Sequence, residues 1–278
     1  MRRGALNEPL KRVWRCWLTR VVLVAAVATN AAAEERLGGM GLSEAFPDAQ
    51  VAAMVAAARS GNFREVDTLI AKGADVNYRG AQGITPIAWV VAAGDSRAAA
   101  HLLDAKADPN AKLPKNSSAM SIAVELGTPA MLEQLLKKGG NPNLRGQDDD
   151  PLLHRAAYKQ RKEQIDLLLK YGADINGVNE HDKGTAAAAA IVVGRFDLAV
   201  YLVERGLNAN LQELGATAEI RHVPSASEQQ RWKNQLIAML KERGVTFPAV
   251  VRRTTPPPAR IVEAEKRRKA LQESGGEK

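Results

Sequence analysis

The sequence predicts an all-α solenoid of helix-turn-helix units with short hairpin-like fingers, and two observations carry that expectation. One phrase returns at a fixed interval: KGADVN (Lys72–Asn77), AKADPN (Ala105–Asn110), KGGNPN (Lys138–Asn143), YGADIN (Tyr171–Asn176) and RGLNAN (Arg205–Asn210). Its fifth letter falls at Val76, Pro109, Pro142, Ile175 and Ala209, so the spacing is 33, 33, 33 and 34 residues. A repeat of that length is a unit too small to bury its own apolar face, and it must stack on its neighbours. Composition agrees: the 278 residues are 45% hydrophobic but only 4% aromatic, and rich in Ala, Leu and Val, which suits stacked helices better than a β-sandwich.

Residues 1–33 read as a secretory signal. A basic n-region with six Lys/Arg is followed by the apolar run Val21–Ala33, which is short for a membrane span and ends in a small-residue site, Ala31-x-Ala33. The n-region is long, so an uncleaved N-terminal anchor stands as the alternative. Cys16, the single cysteine, precedes the apolar run and leaves with a cleaved signal. An exported chain without cysteine has no disulfide, thiolate metal site or cysteine nucleophile, and it fits a bacterial periplasm.

Residues 34–47 read as a linker and 48–248 as the repeat domain, about five units and a degenerate C-terminal cap. The first helix is expected over about Asp48 to Arg59. The second unit shows the pattern most clearly. Thr85 is placed to cap a helix, and Pro86 suits the first helical position, where its missing N–H is no loss. Ile87, Val90 and Val91 form an apolar stripe, and Gly94 ends the helix. Asp95 caps the next helix, whose Ala99, Leu102 and Leu103 share one face. Beyond Asn210 the period breaks into a longer polar connection. Glu228–Pro248 then holds an amphipathic helix ending at Gly244, with Trp232, Leu236, Met239 and Leu240 on its apolar side. Residues 249–278 change character again: three prolines, then mixed charge, read as a basic flexible tail.

The pattern resembles the ankyrin repeat, in which G-x-TPLH-x-AA-x-x-G opens the first helix and GADVN closes the second. The resemblance rests on GITPIAWVVAAG (Gly83–Gly94), DPLLHRAA (Asp150–Ala157), AARSGN (Ala57–Asn62), KGTAAAAAIVVG (Lys183–Gly194) and the five finger phrases, and covers roughly Ala49 to Asn210. His154 keeps the family's opening histidine; Ala88, Ser121 and Ala188 replace it elsewhere, which removes or weakens a local hydrogen bond. NSSAMSIAVELG (Asn116–Gly127) lacks the Thr-Pro, although Ser118 remains as a cap.

Charge argues against nucleic acid. The formal net charge is +8, but residues 34–248 hold 25 basic and 26 acidic side chains, so the excess sits in the two ends. The tail alone carries eight Lys/Arg against four acids, leaving membrane contact through it as a reading.

Catalytic and metal chemistry find little purchase. The four histidines, His101, His154, His181 and His222, show no metal-ligand spacing, and His154 belongs to the repeat's own motif. Asp148, Asp149 and Asp150 lack the alternation and glycine of a calcium loop, and read as an acidic fingertip. Asp75, Asp108 and Asp174, with Asn77, Asn110, Asn143 and Asn176, recur because each unit needs the same turn. No nucleophile elbow, phosphate loop or dinucleotide fingerprint is present. No catalytic, metal or cofactor site is expected.

The family resemblance implies instead that partners dock on a concave face made by fingertips and the exposed side of each first helix. Carrying the register over gives Arg59 and Ser60 in the first unit, and Gln82, Ile84 and Ala93 in the second. The third offers Lys115, Ser117, Glu125 and Leu126; the fourth Gln147, Asp148, Asp150, Tyr158 and Lys159; the fifth His181, Asp182, Val192 and Val193. Leu126 and Tyr158 among charges have the profile of an apolar anchor in a polar rim. The implied function is a periplasmic protein-interaction module, monomeric when free. Resemblance to exported bacterial ankyrin proteins implies an immunity or adaptor protein holding a toxic effector, such as a lipase, inactive. The alternative is a structural or membrane-surface component of the envelope.

Overall fold

A computed structural model describes residues 40–146, 149–181 and 183–249; the expected signal and most of the tail lie outside them. Thirteen α-helices are present among the described residues. Isolated bridges join Arg145 with Pro151 and Val178 with Thr185. The architecture is the all-α repeat solenoid that the period predicts. The chain divides into two compact units, Met1–Asp174 and Ile175–Lys278.

The first unit opens on a short helix, α1 (Leu42–Ala45), inside the stretch read as linker. Here the structure departs from the expectation: Phe46 is 1% exposed and meets Trp89 edge to face, with ring centroids 5.7 Å apart. Phe46, with the buried Ala45 beside it, supplies the apolar area that holds this short segment to the repeats. Four helix pairs follow: α2 (Ala49–Ser60) with α3 (Phe63–Ala71), α4 (Pro86–Ala92) with α5 (Ser96–Asp104), α6 (Ala119–Leu126) with α7 (Pro129–Lys137), and α8 (Leu152–Tyr158) with α9 (Lys162–Lys170). Their inward faces bury Met54, Ile87, Leu102, Met120, Leu132, Leu135, Leu152 and Ile165 completely.

Caps form where the sequence places them. Asp48 Oδ1 accepts the Gln50 and Val51 N–H groups, Thr85 accepts from Ala88, and Asp95 from Arg97 and Ala98. The departures from the family's motif are made good locally. Ser118 Oγ accepts the Ser121 N–H at 3.1 Å while Ser121 Oγ accepts the Ser118 N–H at 2.9 Å, a reciprocal capping box. Gly94 and Gly127 end their helices at φ +73°; the equivalent residue of the fourth pair is Gln160, held at φ 59°.

The same backbone hydrogen bond recurs across each finger: Gly80 N–H to Ile84 O, Leu113 to Ser117, and Gly146 to Asp150. The repeated asparagine then ties each finger to the next. Asn77 Nδ2 donates to Lys106 O and its Oδ1 accepts the Asp108 N–H; Asn110 does the same with Gly139 O and Asn141, and Asn143 with Gly172 O and Asp174. The recurrent Asp75, Asp108 and Asn141 accept the N–H two residues on. Repetition therefore serves both the turn and the stacking. Contacts Asp67–His101 (2.7 Å), Asp104–Lys138 (2.6 Å) and Glu133–Lys170 (3.5 Å) join successive second helices; each has one largely exposed partner and is weak.

The second unit contains α10 (Ala186–Val192), α11 (Phe196–Glu204), α12 (Leu211–Ile220) and α13 (Glu228–Glu242). Its finger is closed by Asn179 N–H to Gly184 O, one residue wider than the others, and this accounts for the single spacing of 34. Asn176 Oδ1 accepts the Asn208 and Ala209 N–H groups, continuing the asparagine pattern. The polar connection expected after Asn210 is in fact a helix: α12 buries Leu214 and Ala218 and so forms the first helix of the sixth pair. Its buried edge is small, Leu214, Gly215 and Ala218 among polar residues, and so gives little apolar signal in the sequence. In α13, Leu236 and Leu240 are buried, with Trp232 and Met239 half-buried.

Candidate functional site

Within the first unit the stacking places the last turn of each first helix at the same level, beside the fingers. In the first unit this aligns Arg59, Ala92, Glu125 and Tyr158 in one row and Ser60, Ala93, Leu126 and Lys159 in the next. A residue at the end of a helix, next to the turn, has no neighbour above it to bury it. Leu126 and Tyr158 are accordingly each 46% exposed.

Charges around them are organised. Lys159 Nζ lies 2.9 Å from Glu125 Oε2, and Arg155 Nε hydrogen-bonds to Glu125 Oε1. Burial raises the Glu125 carboxyl, but the hydrogen bonds and charges of Lys159 and Arg155 more than offset it and hold it below the usual glutamate range. Beneath this pair is a pocket of about 310 Å³ walled by Ala92, Ile122, Leu126 and Leu152, with Ser117, Ser121, Glu125, Asp150 and Arg155 supplying the polar side. Apolar walls with few, fixed polar groups suit an inserted side chain. Ser121 Oγ is tied to Ser118 and lies 3.2 Å from Ser117 Oγ, so its hydroxyl serves the cap. Among the described residues, no three His, Cys, Asp or Glu side chains are grouped to hold a metal ion, and no helix is long and apolar enough to cross a membrane.

The structure sorts the residues that sequence reasoning proposed. Glu125, Leu126, Tyr158 and Lys159 come together on one surface, with Ser117 close by at the root of the second finger. Gln82 and Lys115 are exposed at fingertips, both in the left-handed region (φ 53° and 58°), and Ile84 is half-buried. Arg59 is half-buried and its Nη1 donates to Ala93 O at 3.5 Å. Asp150 is a correction: it is 7% exposed, with its carboxylate 3.4 Å from His154 Nδ1 and 3.6 Å from Arg155 Nη1, and belongs to the pocket floor instead of an acidic fingertip. Gln147, Asp148 and Asp182 lie outside the described residues. In the second unit His181 is exposed with its N–H on Asn179 Oδ1, Val192 is 52% exposed and Val193 is half-buried.

Among the pocket residues that the sequence reading did not choose are Ile122 and Arg155. Each stands three residues before one that was chosen, Glu125 and Tyr158, hence on the same helix face one turn earlier. Extending the register by one turn finds both. The corresponding residue of the second pair, Trp89, is buried by Phe46 and offers nothing.

Comparison with known families matches residues 120–213 to "Ankyrin repeats (3 copies)" and residues 54–103 to "Ankyrin repeats (many copies)". Among curated proteins, "Ankyrin repeat and KH domain-containing protein mask-1" of Caenorhabditis elegans is 28% identical over 60% of this chain and 6% of its own length. "Putative palmitoyltransferase ZDHHC13" of Danio rerio is 26% identical over 51% of this chain and 22% of its own. "Protein PhlB" of Serratia liquefaciens is 30% identical over 38% of this chain and 46% of its own. The chain thus spans less than half the length of each of these relatives.

Proposed function

The chain belongs to the ankyrin-repeat family, whose repeats form protein-interaction modules, and we propose that it grips another protein with the finger-side face of its first unit. The observation that carries this reading is the pair of half-exposed apolar side chains, Leu126 and Tyr158, beside the pocket and inside a rim of fixed charges. An apolar anchor in a desolvatable pocket with a polar rim is the usual energetic centre of a specific interface. Such an interface needs roughly 800 Å² per partner.

The finer reading places the protein in the periplasm after removal of residues 1–33, as an immunity or adaptor protein that holds a toxic effector, such as a lipase, inactive. Its support is the signal-like leader and a remainder without cysteine. Capture of the C-terminally tagged protein from its own host, with mass spectrometry of the partner and of the mature N-terminus, tests both levels. One stoichiometric partner and an N-terminus at Glu34 are expected. An N-terminus at Met1 with only envelope lipid sinks the finer reading.

A second reading, a membrane-surface tether, rests on the eight Lys/Arg against four acids in residues 249–278. Deleting Ala249–Lys278 separates the two. Partner binding survives the deletion under the first, whereas salt-sensitive membrane association is lost under the second.

A further inference from the structure

The first two fingers of the first unit carry a feature that the partner-binding reading has not used. Residues 78–84 and 111–117 hold Arg79, Lys112 and Lys115 and no acid. All three are exposed and none makes an ion pair among the described residues. Arg79 Nη1 donates to Lys112 O at 2.7 Å, so one tip braces the next and the charges form a single edge. Like charges held together without counterions raise the local potential and attract carboxylates. On neighbouring elements the carboxylates are Glu44, on the helix packed against the first tip; Asp75 and Asp108, which stand four residues before Arg79 and Lys112 and each accept the N–H two residues on; and Asp149, which lies 3.6 Å from Arg145.

The tips also hold side chains where glycine would be easier. Gln82, Lys115 and Asn116 all have φ between 53° and 58°, a region that glycine enters at no steric cost. A side chain kept in that conformation at an exposed tip points to use of the side chain. Ser117, which follows directly, stands at the mouth of the pocket bounded by Ile122 and Leu126. Cationic edge and apolar pocket are therefore adjacent.

We infer that this edge and pocket together recognise an acidic segment of a partner protein, in which carboxylates meet Arg79, Lys112 and Lys115 while a neighbouring aliphatic side chain enters the pocket at Leu126. The inference rests on the protein-interaction reading and specifies the chemistry of its partner. A protein segment is favoured over the other polyanions because residues 34–248 as a whole hold 25 basic and 26 acidic side chains. A nucleic acid or an anionic bilayer extending past the edge meets as many carboxylates as cations, and a short acidic segment does not. The pocket walls, moreover, are aliphatic, and Tyr158 beside them is a single ring, not the series of aromatic platforms on which successive bases stack.

The test uses fluorescence anisotropy of the full chain with three labelled peptides that share one central leucine and differ in their flanks, Asp/Glu, Ser or Lys, and with a labelled single-stranded oligonucleotide. The acidic peptide binds at least tenfold more tightly than the lysine peptide, and the advantage shrinks as salt is raised. The variant Arg79→Glu/Lys112→Glu/Lys115→Glu, at exposed tips, keeps its circular dichroism and reverses the preference. Leu126→Asp weakens all peptides alike. Equal binding of acidic and lysine peptides, binding of none, an unchanged preference in the triple variant, or oligonucleotide binding as tight as the acidic peptide's overturns the inference. A captured protein partner that the triple variant still binds normally removes this inference alone; failure to capture any partner removes the reading beneath it.

Discussion

Lys159 Nζ and Glu125 Oε2, 2.9 Å apart, join the ends of α6 and α8, and Arg155 holds the other oxygen of the same carboxylate. The Glu125 side chain is 34% exposed, so solvent screens the pair and its worth is at most about 1 kcal/mol. Its carboxyl titrates below the ordinary glutamate value when folded. The stabilisation is thus complete above that ordinary value and is lost as pH falls through the lower, folded value. Glu125→Gln is expected to lower stability by about 1 kcal/mol or less at neutral pH and to flatten the acid side of the stability profile. Urea titrations from neutral pH down through the carboxylate range check both.

The asparagine pattern predicts a larger loss at an unremarked surface position. Asn110 bonds Gly139 O and the Asn141 N–H, at 2.9 and 2.7 Å, and so binds two fingers together. Asn110→Ala removes both, costing about 1–3 kcal/mol, whereas Asp108→Ala removes one bond within a single finger and costs about 1 kcal/mol. Chemical denaturation of the two variants orders them. Equal midpoints would mean that the inter-finger bonds contribute nothing beyond the turn.

Phe46 tests whether the segment before the first full helix belongs to the fold. Buried against Trp89, it is expected to cost about 3–5 kcal/mol on truncation to alanine. A true linker would tolerate Phe46→Ala without change in the melting temperature.

Two glycines separate backbone strain from steric conflict. A Cβ at Gly94 meets nothing within 4 Å, while one at Gly127 lies 2.5 Å from the Arg161 guanidinium carbon; both residues have φ +73°. The Arg161 group is the mobile end of a long side chain and swings aside cheaply. Gly94→Ala and Gly127→Ala are therefore expected to cost a similar amount, about 1 kcal/mol each, from backbone conformation alone. A much larger loss at Gly127 that Arg161→Ala relieves would show instead that Arg161 is fixed there.

The repeat was legible because the finger phrase and the caps are local: Thr85, Asp95 and Ser118 each satisfy backbone groups within three residues of themselves. Contacts made at a distance were not. Phe46 reads as a stray aromatic until Trp89 is placed against it, and α12 reads as polar because only Leu214 and Ala218 mark its buried edge. The candidate face was half legible. Counting by 33 aligns Glu125 with Tyr158 and Leu126 with Lys159, but period alone does not show that Asp150 turns inward to His154 and Arg155. That depends on side-chain direction, to which spacing is blind.

The most direct test of the partner-binding account is site-specific photo-crosslinking in the protein's own host. A photoreactive residue is placed in turn at Leu126, at Tyr158 and at Arg64, an exposed residue of the second-helix side. The account predicts one protein adduct, of the same mass from Leu126 and Tyr158, and none from Arg64. An adduct from Arg64 with none from Leu126 or Tyr158 would contradict it, and would move the interaction surface to the second helices.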